Sequence, residues 1–148
     1  MQQLLCAIDK AGACERQGCR LRRTVLKRRM GLRLKSELFV QALVRRVQAS
    51  FVDGGAAAYI AKRGDTDAGG IFVRVNRLDG TAGVLTIFTH MDGDRRWRVV
   101  LPPGTPEAEG QAHMAREVNR DPDIWVVDIE DAQGRHFLEE KIDGVWAS

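Results

Sequence analysis

The chain has 148 residues, 23 of them Lys or Arg and 20 Asp or Glu, and 44% of it is hydrophobic. That is one domain's worth of chain, with enough apolar side chains for a core of its own, and it excludes disorder throughout. No apolar run approaches the ~18 residues of a membrane span, and neither a basic region nor an apolar run precedes Cys14 as a secretory signal requires.

The charge is unevenly placed. Residues 1–29 hold 8 basic and 2 acidic groups, a net +6, whereas residues 30–148 hold 15 basic and 18 acidic, a net −3, which together give the +3 of the chain. The body is therefore mildly acidic, and contact with nucleic acid is expected only through the basic tail. Cys6, Cys14 and Cys19 all lie in that tail. An odd number of cysteines with none in the body speaks against a disulfide framework and fits a reducing cytoplasm. Three thiolates fall short of the four ligands of a structural zinc site, so no metal or other cofactor is expected. Residues 1–29 are read as a disordered basic tail or an upstream translation, and residues 30–148 as a single domain.

Ser36 is a natural N-cap and Glu37 stands in the first turn, where the helix dipole favours an acid. Val40, Leu43, Val44, Val47 and Phe51 recur at helical spacing, which predicts a helix from Ser36 to Phe51, stopped by Gly54-Gly55. Ala56 to Lys62 reads as a first strand, and Arg63-Gly64-Asp65 as a turn rather than an adhesion tripeptide.

The strongest signal is Gly69 to Phe88, which reads as a β-hairpin. Asp79-Gly80 between two β-rich runs suits a type I′ turn, because glycine accepts positive φ without a Cβ clash. If these two residues form the loop, Val75 faces Val84, Val73 faces Thr86 and Ile71 faces Phe88. One face is then almost wholly apolar, and the other carries Phe72, Arg74 and Asn76 beside Leu85 and Ile87.

Met91-Asp92-Gly93-Asp94 is a turn, and Arg95 to Leu101 a strand whose arginines suit a sheet edge, with Trp97 facing the core. Thr105-Pro106-Glu107 starts a second helix, with an alanine stripe at Ala108, Ala112 and Ala115 running on to Val118. Ile124 to Ile129 is a strand, Asp131 to Gly134 a turn, and the last stretch, from Arg135 to Ile142, has no assignable type.

The chemistry-bearing residues form no recognisable catalytic set, so no catalytic residue is assigned. His90, His113 and His136 are scattered singly, and no nucleophile stands with a supporting base. His90 with Asp92 and Asp94 is the one loop that an unrecognised enzyme would use. Arg45 and Arg46 on the first helix, with Arg74, Asn76 and Arg77 at the hairpin, are the residues suited to an anion, since guanidinium pairs bidentately with carboxylate and phosphate. Pairing with the body's own carboxylates is the competing account of the same arginines.

The run from Leu32 to about Ile142 resembles a family of small bacterial proteins of uncharacterised function. The likeness is carried by Arg33-Leu34-Lys35-Ser36-Glu37, Arg45-Arg46-Val47, Arg63-Gly64-Asp65, Val75 to Thr81, and Asp121 to Val127 with Gly134 to Leu138. The resemblance implies no activity. It implies a start near Met30, since members of the family typically begin there.

The expected fold is α+β, a single mainly antiparallel sheet of four or five strands with two packed helices in the order α-β-β-β-β-α-β. The expected function is that of a small non-catalytic protein-binding or regulatory module. A nucleic-acid-associated factor using the tail is the alternative, and an enzyme using the His90 loop comes third. If both helices lie on one face, Phe72, Leu85 and Ile87 are left for a partner protein or a homodimer.

Overall fold

The computed structural model describes residues 35–50 and 55–147. The basic tail, its cysteines and Phe51 lie outside the described residues. Two helices, α1 (Ser36–Ala49) and α2 (Glu107–Arg120), accompany six strands: β1 (Ala57–Lys62), β2 (Ile71–Asn76), β3 (Ala82–Thr89), β4 (Arg95–Leu101), β5 (Trp125–Glu130) and β6 (Ile142–Asp143). The α+β class holds, but the sheet has six strands and is mixed, where four or five mainly antiparallel strands were expected. The spatial order is β1-β5-β2-β3-β4-β6, with β5 parallel to β2 and β6 parallel to β4. The parallel pair at the centre arises because α2 carries the chain from β4 back across the sheet to β5.

The two helices pack on opposite faces. Val40, Leu43 and Val47 of α1 share one core with Ile71, Val73, Val75, Leu85, Trp97, Trp125 and Val127. Met114 and Val118 of α2 share a second with Val84, Ile124, Val126 and Phe72. A sheet covered on both sides needs apolar residues at consecutive positions of its central strand, and β5 is buried at Trp125, Val126, Val127, Asp128 and Ile129. The stripe that α2 presents is Gly110, Met114 and Val118, spaced by one turn, rather than the alanines, of which Ala108, Ala112 and Ala115 are exposed. Gly110 brings the helix close to Ala82 of β3.

The register between β2 and β3 differs by one residue from the expected one. Val73 faces Leu85, Arg74 faces Val84 and Phe72 faces Thr86. The connection is longer than Asp79-Gly80: the Arg77 N–H donates to the Thr81 carbonyl at 3.0 Å, and the chain turns through Leu78 (φ 62°) and Gly80 (φ 85°). Side chains of the turn hold it, with Asn76 Oδ1 accepting from the Leu78 N–H and Asp79 Oδ1 from the Thr81 N–H, both at 2.9 Å. A slip of one residue exchanges the faces of a whole strand, so Leu85 lies under α1 and Val84 under α2.

Two helix starts are also set by tertiary contacts rather than by the expected caps. Ser36 is inside α1, and its buried hydroxyl donates to the Gly69 carbonyl at 2.8 Å. The Glu37 N–H donates to the Thr66 carbonyl at 3.1 Å, so the loop after β1 takes the capping role. Thr105 precedes Pro106, and the Ala82 N–H donates to the Thr105 carbonyl at 2.8 Å, which ties the start of α2 to β3.

Strand β4 is not an edge. Its far side pairs with β6 at Trp97 and Arg98, and Trp97 is fully buried with its Nε1–H donating to Glu140 Oε2 at 3.0 Å. Its register against β3 shifts between Val84 and Leu85, so that Val99 joins the α1 core and Leu101 the α2 core. Among the described residues no helix is long and apolar enough to cross a membrane.

Candidate functional site

Strand pairing lays out the α2 face of the sheet in three rows across β1, β5, β2 and β3. The first is Lys62, Val126, Phe72 and Thr86, the second Tyr59, Asp128, Arg74 and Val84, and the third Ala57, Glu130, Asn76 and Ala82. Lys62 belongs to this face because the register of β1 against β5 shifts between Ile60 and Lys62. Without that irregularity the alternation of a strand would turn Lys62 to the α1 side.

Helix α2 lies near β3 and leaves the β1–β5 side of this face partly open. The opening is a cleft of about 380 Å³ whose sheet side is formed by Ala61, Lys62, Arg74, Val126 and Asp128. Gln111, Met114, Ala115, Val118 and Asn119 of α2 form its helix side. Val126, Met114, Ala115 and Val118 are its apolar lining, and Lys62, Arg74, Gln111, Asn119 and Asp128 its polar lining.

Arg74 and Asp128 form the polar base. Nε and Nη2 of Arg74 each donate to one carboxylate oxygen at 2.8 Å. The side chains are 14% and 7% exposed. Burial works against the guanidinium charge, but the hydrogen bonds and the charge of Asp128 outweigh it and hold Arg74 above its ordinary pKa. Tyr59 stands beside this pair and donates its hydroxyl to Glu130 Oε1 at 3.3 Å. Burial, with the charges of Asp128 and Glu130, pushes its phenol up. Asn76 Nδ2 donates to Glu107 Oε1 at 3.1 Å, and Gln111 Nε2 donates to the same oxygen at 3.3 Å. Lys62 donates its ammonium to the carbonyl of its neighbour Arg63 and to the carbonyls of Pro122 and Ile124, where the chain leaves α2 for β5.

The five residues suited to an anion do not gather in one place. Arg74 and Asn76 stand together on the α2 face. Arg46 reaches the Phe137 carbonyl at 2.8 Å and Glu139 at 3.2 Å, and Phe137 packs on the α1 core. Arg45 is exposed on α1. Arg77 lies along Gly134, with its Nε buried and 4.0 Å from Asp79 Oδ2. Phe72, Leu85 and Ile87 do not share a face either: Phe72 packs on the α2 core, and Leu85 and Ile87 on the α1 core, with Leu85 fully buried. The one-residue register slip separates them.

Other motifs are structural in the fold. Asp65 Oδ1 accepts from the Asp67 and Ala68 N–H groups at 3.0 and 2.8 Å, and its carbonyl takes the Nε1–H of buried Trp125 at 2.6 Å. Gly64 lies so close to Asp123 that a Cβ there would collide with its carbonyl oxygen. His90 and Asp92 are 3.0 Å apart, and Arg96 pairs with Asp92 at 2.6 Å. Among the described residues no three His, Cys, Asp or Glu side chains are grouped as a metal site.

Sequence reasoning missed Lys62, Asp128, Gln111, Met114, Val118 and Asn119 as lining residues. One signal for Asp128 is present: a carboxylate in the middle of the apolar run Trp125 to Ile129 requires a cation across the sheet.

A mixed sheet with one helix on each face and a lateral cleft beside one helix defines a small α+β domain with a concave surface. The family model for a protein of unknown function, DUF1491, matches residues 34–139, and the chain belongs to that family. Solved structures similar to it include the following three. The crystal structure of a DUF1491 family protein from Caulobacter crescentus CB15 is 40% identical with a TM-score of 0.66, over 74% of this chain and 99% of that one. An NMR structure of a DUF1491 family protein from the same organism is 41% identical with a TM-score of 0.64, over 75% and 97%. The solution structure of protein Atu0922 from A. tumefaciens is 35% identical with a TM-score of 0.63, over 78% and 100%. No curated protein matches the chain.

Proposed function

We propose that the domain is a non-catalytic binding module that takes a segment of a partner protein in the cleft between α2 and the β1–β5–β2 side of the sheet. The observation that supports this is the lining: apolar Val126, Met114, Ala115 and Val118 are framed by the amides of Gln111 and Asn119 and by an ion pair already matched within itself. Such a surface excludes water from an apolar side chain and offers hydrogen bonds at its margin, which is the anatomy of a recognition site. The tryptophans and leucines of the two cores are committed to packing, whereas contact at the cleft does not require the domain to unfold.

Photo-crosslinking in native cells tests this. A photoreactive residue at Ala115, inside the cleft, is expected to capture one defined protein, and the same residue at exposed Arg45 on the opposite helix is not. An adduct of twice the chain mass identifies a second copy as the partner. No adduct at Ala115, or the same adducts from both positions, removes the reading.

A further inference from the structure

Resting on that reading of the cleft, we infer that the partner segment carries an aspartate or glutamate close to its apolar side chain, and that this carboxylate meets Lys62. Lys62 and Val126 face each other across the β1–β5 pair, and both line the cleft. Paired residues of neighbouring strands lie about 5 Å apart, so an apolar side chain seated on Val126 brings the next positions of its segment to the lysine.

The charges of the lining itself set this preference. They are Lys62, Arg74 and Asp128, two cations and one carboxylate, which leave one positive charge over. Arg74 and Asp128 satisfy each other through two hydrogen bonds of 2.8 Å, so the charge left over is that of Lys62. Among the described residues its partners are the carbonyls of Arg63, Pro122 and Ile124. Carbonyls orient an ammonium without cancelling its charge, whereas a carboxylate does both. The bond to the Arg63 carbonyl is exposed and 3.2 Å long, so water can take over that carbonyl when a carboxylate displaces it from the ammonium. Asp121 and Asp123 flank Pro122, but neither lines the cleft or pairs with Lys62. Glu130 stands four residues along β5 from Val126. At the rise of a strand that is about 13 Å, beyond the Debye length of about 8 Å at physiological salt, so Glu130 does not oppose an anion at Lys62. A lysine or arginine in the segment would instead meet the uncancelled ammonium.

Two peptide display libraries test this against the full chain. One fixes leucine with glutamate one or two positions away, the other leucine with lysine at the same positions. Enrichment is expected from the first alone. Changing the glutamate of an enriched peptide to glutamine should weaken binding roughly fivefold, the upper range of an exposed ion pair. Lys62→Met should weaken the glutamate peptide by the same factor and leave the glutamine peptide unaffected, since each change removes the same contact. Equal enrichment from both libraries, no enrichment from the first, or a glutamine peptide that binds as tightly overturns the inference, and these three results do not depend on any variant folding. A folded Lys62→Met that still prefers the glutamate peptide overturns the assignment to Lys62. Ala115→Trp, or Asn119→Trp if a thermal melt shows the first unfolded, should block the peptide. If it blocks a peptide indifferent to the glutamine change, the cleft stands and only the charge preference falls. If it binds normally, both fall.

Discussion

Arg74 and Asp128 face each other across the parallel β2–β5 pair, and Arg74 donates two hydrogen bonds of 2.8 Å to the Asp128 carboxylate beneath α2. Removing one partner leaves the other charge in a largely desolvated position. Arg74→Ala is expected to cost about 3 kcal/mol, and Arg74→Met with Asp128→Leu substantially less, because replacing both charges removes the desolvation cost. Urea denaturation of both variants decides it: a double variant no more stable than the single one contradicts this account.

The register of β3 predicts opposite fates for neighbouring residues. Leu85 is fully buried in the α1 core, so Leu85→Ala should lose about 2–5 kcal/mol and Leu85→Glu should abolish cooperative unfolding. Thr86, partly buried beside Phe72, should accept Ala at a cost of about 1 kcal/mol, that of its hydroxyl's bond to the Ile71 carbonyl. Chemical denaturation that ranks Thr86→Ala as the worse substitution restores the two-residue turn.

Gly64 abuts the carbonyl of Asp123, so Gly64→Ala must push apart the loop after β1 and the start of β5. A loss of about 1–3 kcal/mol is expected, as for overpacking. Gly80, at φ 85° with open space around its α-carbon, isolates the backbone effect, and Gly80→Ala should cost about 1 kcal/mol. Equal melting temperatures for the wild type and Gly64→Ala would contradict the close approach.

Burial holds His136 below the ordinary histidine value, and its Nδ1 accepts from the Leu138 N–H at 3.0 Å. Below about pH 6.5 the unfolded chain takes up a proton at this site that the folded one resists. Stability is therefore lost as pH falls below 6.5, until the folded-state value is passed. At Asp131 burial opposes the charge, but the hydrogen bonds and charge of Arg135 outweigh it and lower the pKa, so its contribution disappears only below the ordinary carboxylate value of 3.8. Comparing wild type and His136→Gln at pH 7.5 and 5.5 isolates the histidine. The wild type should lose more stability between the two, and parallel losses would contradict the assignment.

Periodicity made much of this fold readable. The spacing of Val40, Leu43 and Val47 gives the buried stripe of α1, and β4 runs from Arg95 to Leu101 as its pattern predicts. The register of β3 was hidden because the turn uses a leucine at positive φ, a conformation that a Cβ-bearing residue takes only when neighbours such as Asn76 hold it. Strand β6 has two residues and no pattern to read. The cleft was hidden for another reason: its lining comes from β1, β2, α2 and β5, and the strand order together with the register shift in β1 brings Lys62 and Arg74 to one face.

The position of β5 also bears on how the chain is made. It lies between β1 and β2, yet it is the last long strand to leave the ribosome. Strand β1 therefore has no sheet partner until residues 125–130 have been synthesised, and the two-sided core around Trp125 closes only then. Most of the nascent domain waits with the β2 edge open, and a truncated product ending before Trp125 would present that edge, with the backbone groups that pair with β5 unmatched, to any neighbouring chain.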